Sequence, residues 1–255
     1  KQAPVFWWQG LPYSREIWRI ICASSGNVWR RTAVEAGKVR AAVLSGGTLE
    51  DDFVLPYLRE YSPDVILAAD RGLEFCSRNR IRPDMILGDF DSISPEVIEA
   101  YERRQEIPIR LFNPIKDATD TAIAMDTAIS LGAEEICFLG ATGTRLDHTL
   151  SNIYNLYLLW KKGLRGSLVD AHNRITMPVE KEIRIRKEEQ FGRYVSYFPF
   201  RGEVRGLTLE GFQYPLRDYT LVLGDGGLSV SNEILDEEAR ISYREGILVL
   251  VESRD

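Results

Sequence analysis

Between about residue 39 and residue 170 the chain alternates short apolar runs with longer amphipathic stretches, and most of the apolar runs end at a glycine or an aspartate. The runs are Ala41-Ala42-Val43-Leu44, Val65 to Ala69, Met85-Ile86-Leu87, Pro108 to Phe112, Ile136 to Leu139 and Leu168-Val169-Asp170. They are too short for helices and too uniformly apolar for strands with a wet face, so each reads as a strand buried on both sides. Between them, Asp51 to Tyr61, Asp120 to Leu131 and Asp147 to Lys162 read as helices, the last two followed by Gly132 and Gly163. Ser94-Pro95-Glu96 starts another, with a cap, a proline at the first position and an acid in the first turn. Doubly buried strands alternating with helices specify a parallel α/β sheet, and ligands in such sheets bind beyond the carboxyl ends of the strands. Those ends carry Gly46, Asp70, Asp89 and Gly140.

The pattern changes after about residue 174. Ile183-Arg184-Ile185, Tyr194 to Phe198, Val204 to Leu209, Thr220-Leu221-Val222, Leu228-Ser229-Val230, Ala239 to Tyr243 and Ile247 to Val251 follow at spacings of roughly ten residues, with turn residues between them. This predicts an antiparallel β-sandwich. The expected organisation is an extension over 1–38 without an assigned role, a parallel-sheet α/β nucleotide-binding domain over 39–173, and a C-terminal antiparallel β-sandwich domain over 174–255. The extension holds Trp7, Trp8, Trp18 and Trp29, four of the five tryptophans. Its run Val5-Phe6-Trp7-Trp8 is too short for the apolar core of a signal peptide.

Composition narrows the function. The 255 residues are 44% hydrophobic and 27% charged, enough to build a packed core. A formal net charge of −6 argues against general nucleic-acid binding, which needs a basic excess, but not against a nucleotide bound as its magnesium complex. Cys22, Cys76 and Cys137 are far apart and form no CxxC, so neither a disulfide framework nor a zinc site is expected. No stretch approaches the length of a membrane span.

Four motifs carry chemistry. In Gly88-Asp89-Phe90-Asp91-Ser92, continued strand geometry would set both carboxylates on one face roughly 6.5 Å apart. At that distance they repel by about 2–3 kcal/mol at an effective dielectric near 20, and a divalent cation reverses the sign; the alternative is a turn with solvated carboxylates. In Lys116-Asp117-Ala118-Thr119-Asp120, the two acids would be neighbours on a first helical turn, or Asp117 would be a helix cap and Lys116 a surface lysine. Gly140-Ala141-Thr142-Gly143-Thr144-Arg145-Leu146-Asp147-His148 follows a strand and opens a helix. Its glycines admit phosphate close to the backbone, and Arg145 adds a fork of donors. Asp147 is either a ligand contact or a cap. The loop is neither a Walker A motif nor a dinucleotide fingerprint. Asp70, in Ala69-Asp70-Arg71-Gly72, reads by itself as a turn aspartate. Together the motifs bring acids, a lysine, an arginine and a glycine loop to successive strand ends, a mixture suited to metal-phosphate chemistry without a covalent nucleophile.

The ordered set of Ala69-Asp70-x-Gly72, Gly88-Asp89-Phe90-Asp91-Ser92, Lys116-Asp117-x-Thr119-Asp120 and Gly140-x-x-Gly143-x-Arg145-x-Asp147-His148 resembles thiamine pyrophosphokinases. The resemblance spans about residues 40–251 and includes Leu228-Ser229-Val230-Ser231-Asn232-Glu233, similar to that family's Ser-Asn segment. It implies diphosphate transfer from Mg-ATP to the hydroxyl of thiamine, giving thiamine diphosphate and AMP, in a cytoplasmic homodimer with active sites at the subunit interface. It implies that Asp89, Asp91, Asp117 and Asp120 are catalytic, with Asp89 and Asp91 at Mg2+. Asp70, Lys116, Gly140, Gly143, Arg145 and Asp147 would serve ATP and its phosphates, and Ser231 and Asn232 thiamine. The chain departs from the usual pattern at Arg71, Ala122 and Val230.

Two other readings differ in what they predict. A metal-dependent phosphohydrolase, or a kinase for another small alcohol, would use the same acids without requiring the Ser-Asn segment. A nucleotide or ligand sensor would bind ATP or thiamine without producing AMP.

Overall fold

The structure, a computed structural model, describes residues 38–91, 93–104, 107–111, 118–143 and 145–255. The first half runs β1 (Val39–Leu44), α1 (Asp51–Tyr61), β2 (Val65–Ala69), α2 (Gly72–Arg78), β3 (Met85–Gly88), α3 (Pro95–Arg104), β4 (Ile109–Leu111), α4 (Asp120–Ser130), β5 (Ala133–Leu139), α5 (Leu146–Lys161) and β6 (Arg165–Val169). The second half runs β7 (Asn173–Thr176), β8 (Glu182–Arg186), β9 (Tyr194–Pro199), β10 (Val204–Glu210), β11 (Leu216–Leu221), a short α6 (Gly226–Ser229), β12 (Asn232–Glu233), β13 (Glu238–Ser242) and β14 (Leu248–Ser253).

Strands β6-β5-β1-β2-β3-β4 lie side by side in that order and are parallel throughout. The alternation of β1 shows why the central strands are apolar on both sides; β4, the last strand in the order, is not the doubly buried strand expected, because Arg110 and Leu111 are exposed there. Ala41 and Val43 enter a core with Ala124, Met125 and Ala128 of α4 and Leu156 and Leu159 of α5. Ala42 and Leu44 enter the opposite core with Val54 and Leu58 of α1 and Leu73, Phe75 and Cys76 of α2. A strand covered by helices on both faces has no position for a polar residue, and each large side chain buried here contributes about 1.5–3 kcal/mol.

The expected α/β half and antiparallel sandwich are both present, but one sheet serves both. β7 pairs antiparallel with β6, joining Leu168 to Ile175, and β14, β9 and β12 continue outward from β7 with antiparallel pairing. The resulting ten-stranded sheet turns one face of its far end toward a second sheet, β11-β10-β13-β8. Between them lie Val195, Tyr197, Leu248 and Leu250 from the large sheet and Val204, Leu207, Leu209, Ala239 and Ile241 from the small one.

Asp70 lies in a turn, as expected, and the chain then enters α2 (Gly72–Arg78), an element the sequence pattern had not marked. Two local expectations need correction. Leu228-Ser229-Val230 is not a strand: Asp225 accepts at its carbonyl from the amides of Leu228 and Ser229, closing a helical turn. The cap of α4 is Thr119, whose Oγ1 accepts from the Ala122 amide at 3.2 Å. Asp117, the cap considered from sequence, lies outside the described residues, as do Lys116, Ser92, Phe112 and residues 1–37.

Candidate active site

The parallel strands change direction of progression at β1. From β1 the chain steps outward through β2, β3 and β4, then returns to place β5 and β6 on the other side of β1. Ligands in open parallel sheets bind beside such a reversal, at the carboxyl ends of the strands. There the glycine-rich segments seen in the sequence join the loops leaving β1 and β5 in a hydrogen-bonded seam. The Gly47 amide donates to the Gly140 carbonyl at 2.7 Å, and the Thr48 amide to Thr142 at 3.2 Å. The approach is close enough that a Cβ on Gly47 would stand 2.5 Å from the Gly140 oxygen and would also strike Thr142. Gly140 itself has a φ of +66° and meets the Ser45 carbonyl, so it is confined both by conformation and by space.

Three side chains lock this seam from beneath. Asn152, buried on α5, donates through Nδ2 to the Ala141 carbonyl at 2.7 Å, and its own Oδ1 accepts from Asn155. Thr142 Oγ1 donates to Asp170 at 2.7 Å. Asp170 also accepts from the amides of His172 and Asn173, fixing the reversal from β6 to β7. These contacts were not foreseen from sequence. The detectable signal was a pair of asparagines on the apolar face of an otherwise amphipathic helix.

The acids gather around the same edge. Asp70, at the end of β2, has a φ of +47°. Its Oδ1 lies 2.5 Å from where a Cβ on Gly88 would stand, which places the carboxylate against the end of β3. Asp89 and Asp91 follow directly. They are not in the extended geometry expected from the motif: β3 ends at Gly88, Phe90 has a φ of +61°, and the Asp91 amide folds back to Asp89 Oδ1 at 3.3 Å. Asp91 is exposed and Asp89 half-buried. Asp120 is the first residue of α4, and the neighbouring Thr121 hydroxyl lies 3.0 Å from that of Ser45, which ties this helix start to the end of β1.

Arg145 and Asp147 flank the start of α5 and pair with each other. Arg145 Nη2 reaches Asp147 Oδ2 at 2.6 Å and its Nε reaches Oδ1 at 3.2 Å. The Arg145 hydrogen bonds, aided by the His148 amide, hold the pKa of Asp147 down to about 2. Asp147 thus sits inside the first helical turn as an ion-pair partner and not at the cap position, which Arg145 occupies.

Among the described residues, no group of three or more His, Cys, Asp or Glu side chains assembles as a metal cage. The Asp89–Asp91 turn instead offers hard oxygen donors in an open loop. That donor set fits Mg2+, which binds through one or two carboxylates and completes its shell with water and substrate phosphate.

Ser231 and Asn232 lie elsewhere. Asn232 opens β12, six strand spacings from β1, or roughly 29 Å along the sheet at 4.8 Å per spacing. The Ser231 amide donates to Ser196 Oγ at 3.0 Å, and Ser231 has a φ of +58°. Asn232 is buried. Its Oδ1 accepts from the Tyr214 amide at 3.0 Å, while its Nδ2 donates to the Tyr214 carbonyl at 2.9 Å and the Tyr197 hydroxyl at 3.2 Å. The side-chain amide thereby holds the backbone of Tyr214, whose ring is exposed beside Ser231's segment.

Two family models match the chain, one described as the thiamin pyrophosphokinase catalytic domain over residues 60–167 and the other as the thiamin pyrophosphokinase vitamin B1 binding domain over 180–248. The thiamine pyrophosphokinase of Bacillus subtilis is 34% identical over 204 residues, covering 79% of this chain and 94% of the relative. A crystal structure of thiamine pyrophosphokinase from Bacillus subtilis superposes with a TM-score of 0.76 at 32% identity, covering 85% of this chain and 99% of that one. One from Geobacillus thermodenitrificans gives 0.72 at 30% identity, covering 85% and 98%. With both halves matched in the order in which the two folded units occur, the chain belongs to the thiamin pyrophosphokinase family.

Proposed function

We propose that the chain transfers the diphosphate of Mg-ATP to the hydroxyl of thiamine, giving thiamine diphosphate and AMP. The observation that carries this reading is the glycine-lined backbone seam that joins the ends of β1 and β5 and lies along the same strand edge as Asp70, Asp89, Asp91 and Asp120. Anionic phosphate needs close backbone approach and a counter-charge, and the edge offers both.

In the proposed reaction the thiamine hydroxyl oxygen attacks the β-phosphorus in line. A new oxygen–phosphorus bond forms as the bond from that phosphorus to the bridging oxygen of AMP breaks. The hydroxyl proton passes to a carboxylate, either Asp91 or Asp117. Asp89 and Asp91 would hold Mg2+, which would neutralise charge at the phosphate oxygens. Asp70 and Asp120 shape the acidic side of the edge, Gly140 and Gly143 admit the phosphate chain, and Lys116, Arg145 and Asp147 complete its surroundings. Residues 39–173 act as the nucleotide domain and 174–255 as the thiamine domain, where Ser231 and the Asn232-held Tyr214 meet the vitamin.

The separation of Ser231 from Asp89 along one sheet supports a homodimer in which the partner subunit closes each site. The surface carries a matching feature. Leu146, Leu150, Tyr154 and Leu158 recur every four residues on α5 and remain 72%, 56%, 59% and 37% exposed. Such a stripe is the usual mark of an unfilled helix-packing face. A cytoplasmic location accompanies this reading, and among the described residues no helix is long and apolar enough to cross a membrane.

The test is AMP release from Mg-ATP with and without thiamine, together with mass detection of thiamine diphosphate. Thiamine-dependent AMP with stoichiometric product supports the transfer. ADP or phosphate released without thiamine would replace it with hydrolysis, and saturable thiamine binding without AMP would replace it with a sensor.

A further inference from the structure

Beside the seam, on the β2 side of the end of β1, lies an open cleft of about 360 Å³. Its lining includes the loop Gly46-Gly47-Thr48 together with Arg71, Glu74 and Arg78. Two arginines in a small cleft suggest an anion, but they are not equivalent. Arg78 is engaged through Nη2, which donates to Asp51 at 2.7 Å and to the Leu49 carbonyl at 3.0 Å, and through Nε, which donates to Asp51. It braces the loop. Among the described residues the ion-pair partner of Arg71 is Glu74, with Nε 3.7 Å from Oε2, and the Arg71 side chain is 61% exposed. A single, largely solvated pair at that distance is weak and exchanges readily for a better anion.

The backbone explains how Arg71 reaches this place. Asp70 and Arg71 are consecutive, and the positive φ of Asp70 turns the chain between them. The Asp70 carboxylate goes to the end of β3, against Gly88, whereas the stem of Arg71 lies over the end of β1, with its Cβ 3.6 Å from where one on Gly46 would stand. The acidic and cationic sides of the strand edge thus begin from adjacent residues and diverge across β2. A polyphosphate lying along the edge would meet the carboxylate-bound metal on one side and Arg71 on the other.

We infer that Arg71 forms a phosphate-binding subsite in this cleft, taking non-bridging oxygens of the nucleotide's phosphate chain after its guanidinium leaves Glu74. The inference rests on the proposed Mg-ATP reading, but its test does not depend on turnover. Charge-assisted contacts of this kind change affinity by about tenfold or more.

Calorimetry on the full chain, with magnesium and without thiamine, would compare ATP, inorganic tripolyphosphate and adenosine. Arg71→Ala is expected to weaken ATP and tripolyphosphate about tenfold while leaving adenosine unchanged, and Arg71→Lys to recover part of the loss because charge is kept but the planar fork is not. An unchanged unfolding midpoint is expected for both variants, since the Glu74 pair is exposed. The inference is overturned if Arg71→Ala binds tripolyphosphate within twofold of the parent chain, if the parent does not bind it, or if adenosine is weakened equally. Absence of thiamine-dependent AMP in the parent chain would instead count against the transfer reading, and the two failures are separately visible.

Discussion

Thr142 and Asp170 are joined by a 2.7 Å hydrogen bond that ties the glycine loop after β5 to the chain reversal after β6. The bond connects the glycine loop proposed to face phosphate to the point where the parallel half of the sheet becomes antiparallel. Thr142→Val should remove about 0.5–1.5 kcal/mol of stability and raise KM for ATP more than it lowers kcat, because the loop is loosened without loss of a reacting group. Asp170→Ala leaves several donors without their acceptor and should cost more, about 2–3 kcal/mol. Urea unfolding with steady-state kinetics measures both. Equal losses in kcat and kcat/KM for Thr142→Val would contradict a positioning role.

Asp89→Ala should lower turnover by about a hundredfold or more with little change in melting temperature, since the carboxylate sits in an open turn and its proposed partners are the metal and phosphate. AMP release and thermal melting of the same preparation give the comparison. A variant keeping more than about a tenth of kcat would remove Asp89 from the metal assignment.

Gly47→Ala places a methyl group against the carbonyls of Gly140 and Thr142. The β1 and β5 loops cannot both keep their positions, so a stability loss of about 2 kcal/mol or more and a collapse of ATP affinity are expected. A fully stable variant with normal nucleotide affinity would show that the seam is not the phosphate floor.

The Arg145–Asp147 pair fixes a pH expectation. A carboxyl held at about 2 in the folded chain, below its ordinary value near 3.9, contributes stability that is fully present above about pH 4 and is lost as pH falls toward 2. The pair therefore stays intact across the neutral range, and no titration of Asp147 should appear in a pH–rate profile above pH 5. Carboxyl NMR of Asp147 reads this directly, and a midpoint near 4 would mean that the pair does not persist in solution.

Leu150→Glu on the exposed stripe of α5 should convert a dimer to a monomer in sedimentation and abolish turnover. The stronger test mixes two inactive chains by co-expression, one with Asp89→Ala and one with Ser231→Trp. If each site combines Asp89 of one protomer with Ser231 of its partner, mixed dimers hold one intact site, and about a quarter of parental activity should return. No recovery, despite mixed dimers detected by mass, would place both residues in one subunit's site.

Much of the fold was legible because local chemistry and burial agreed. Most of the doubly apolar runs became covered strands, β4 with its exposed Arg110 and Leu111 being the exception, and Ser94-Pro95 and Gly132 marked helix boundaries where the chain indeed turns. Where local signals were short or ambiguous, reading failed. Leu228-Ser229-Val230 alternates like a strand, but three residues do not distinguish a period of two from one helical turn, and the deciding contacts came from Asp225 and from Tyr197, whose hydroxyl donates to the Leu228 carbonyl at 2.9 Å. Asp89 and Asp91 were placed by assuming that β3 continued, whereas the positive φ of Phe90 folds them into a turn.

Sequence by itself determined the chemistry available at the strand ends: which residues are acids, which are glycines, and that a parallel sheet would carry them to one edge. Only tertiary structure decided that β1 and β5 meet there through Gly47 and Gly140, that Asn152 and Asp170 support the loop, and that a single sheet crosses from one half of the chain to the other through β6 and β7. The physical reason is range. Helix caps and strand periodicity arise from neighbours within a few residues, whereas the Gly47–Gly140 contact closes a loop of more than ninety residues and exists only because buried strands fix both ends.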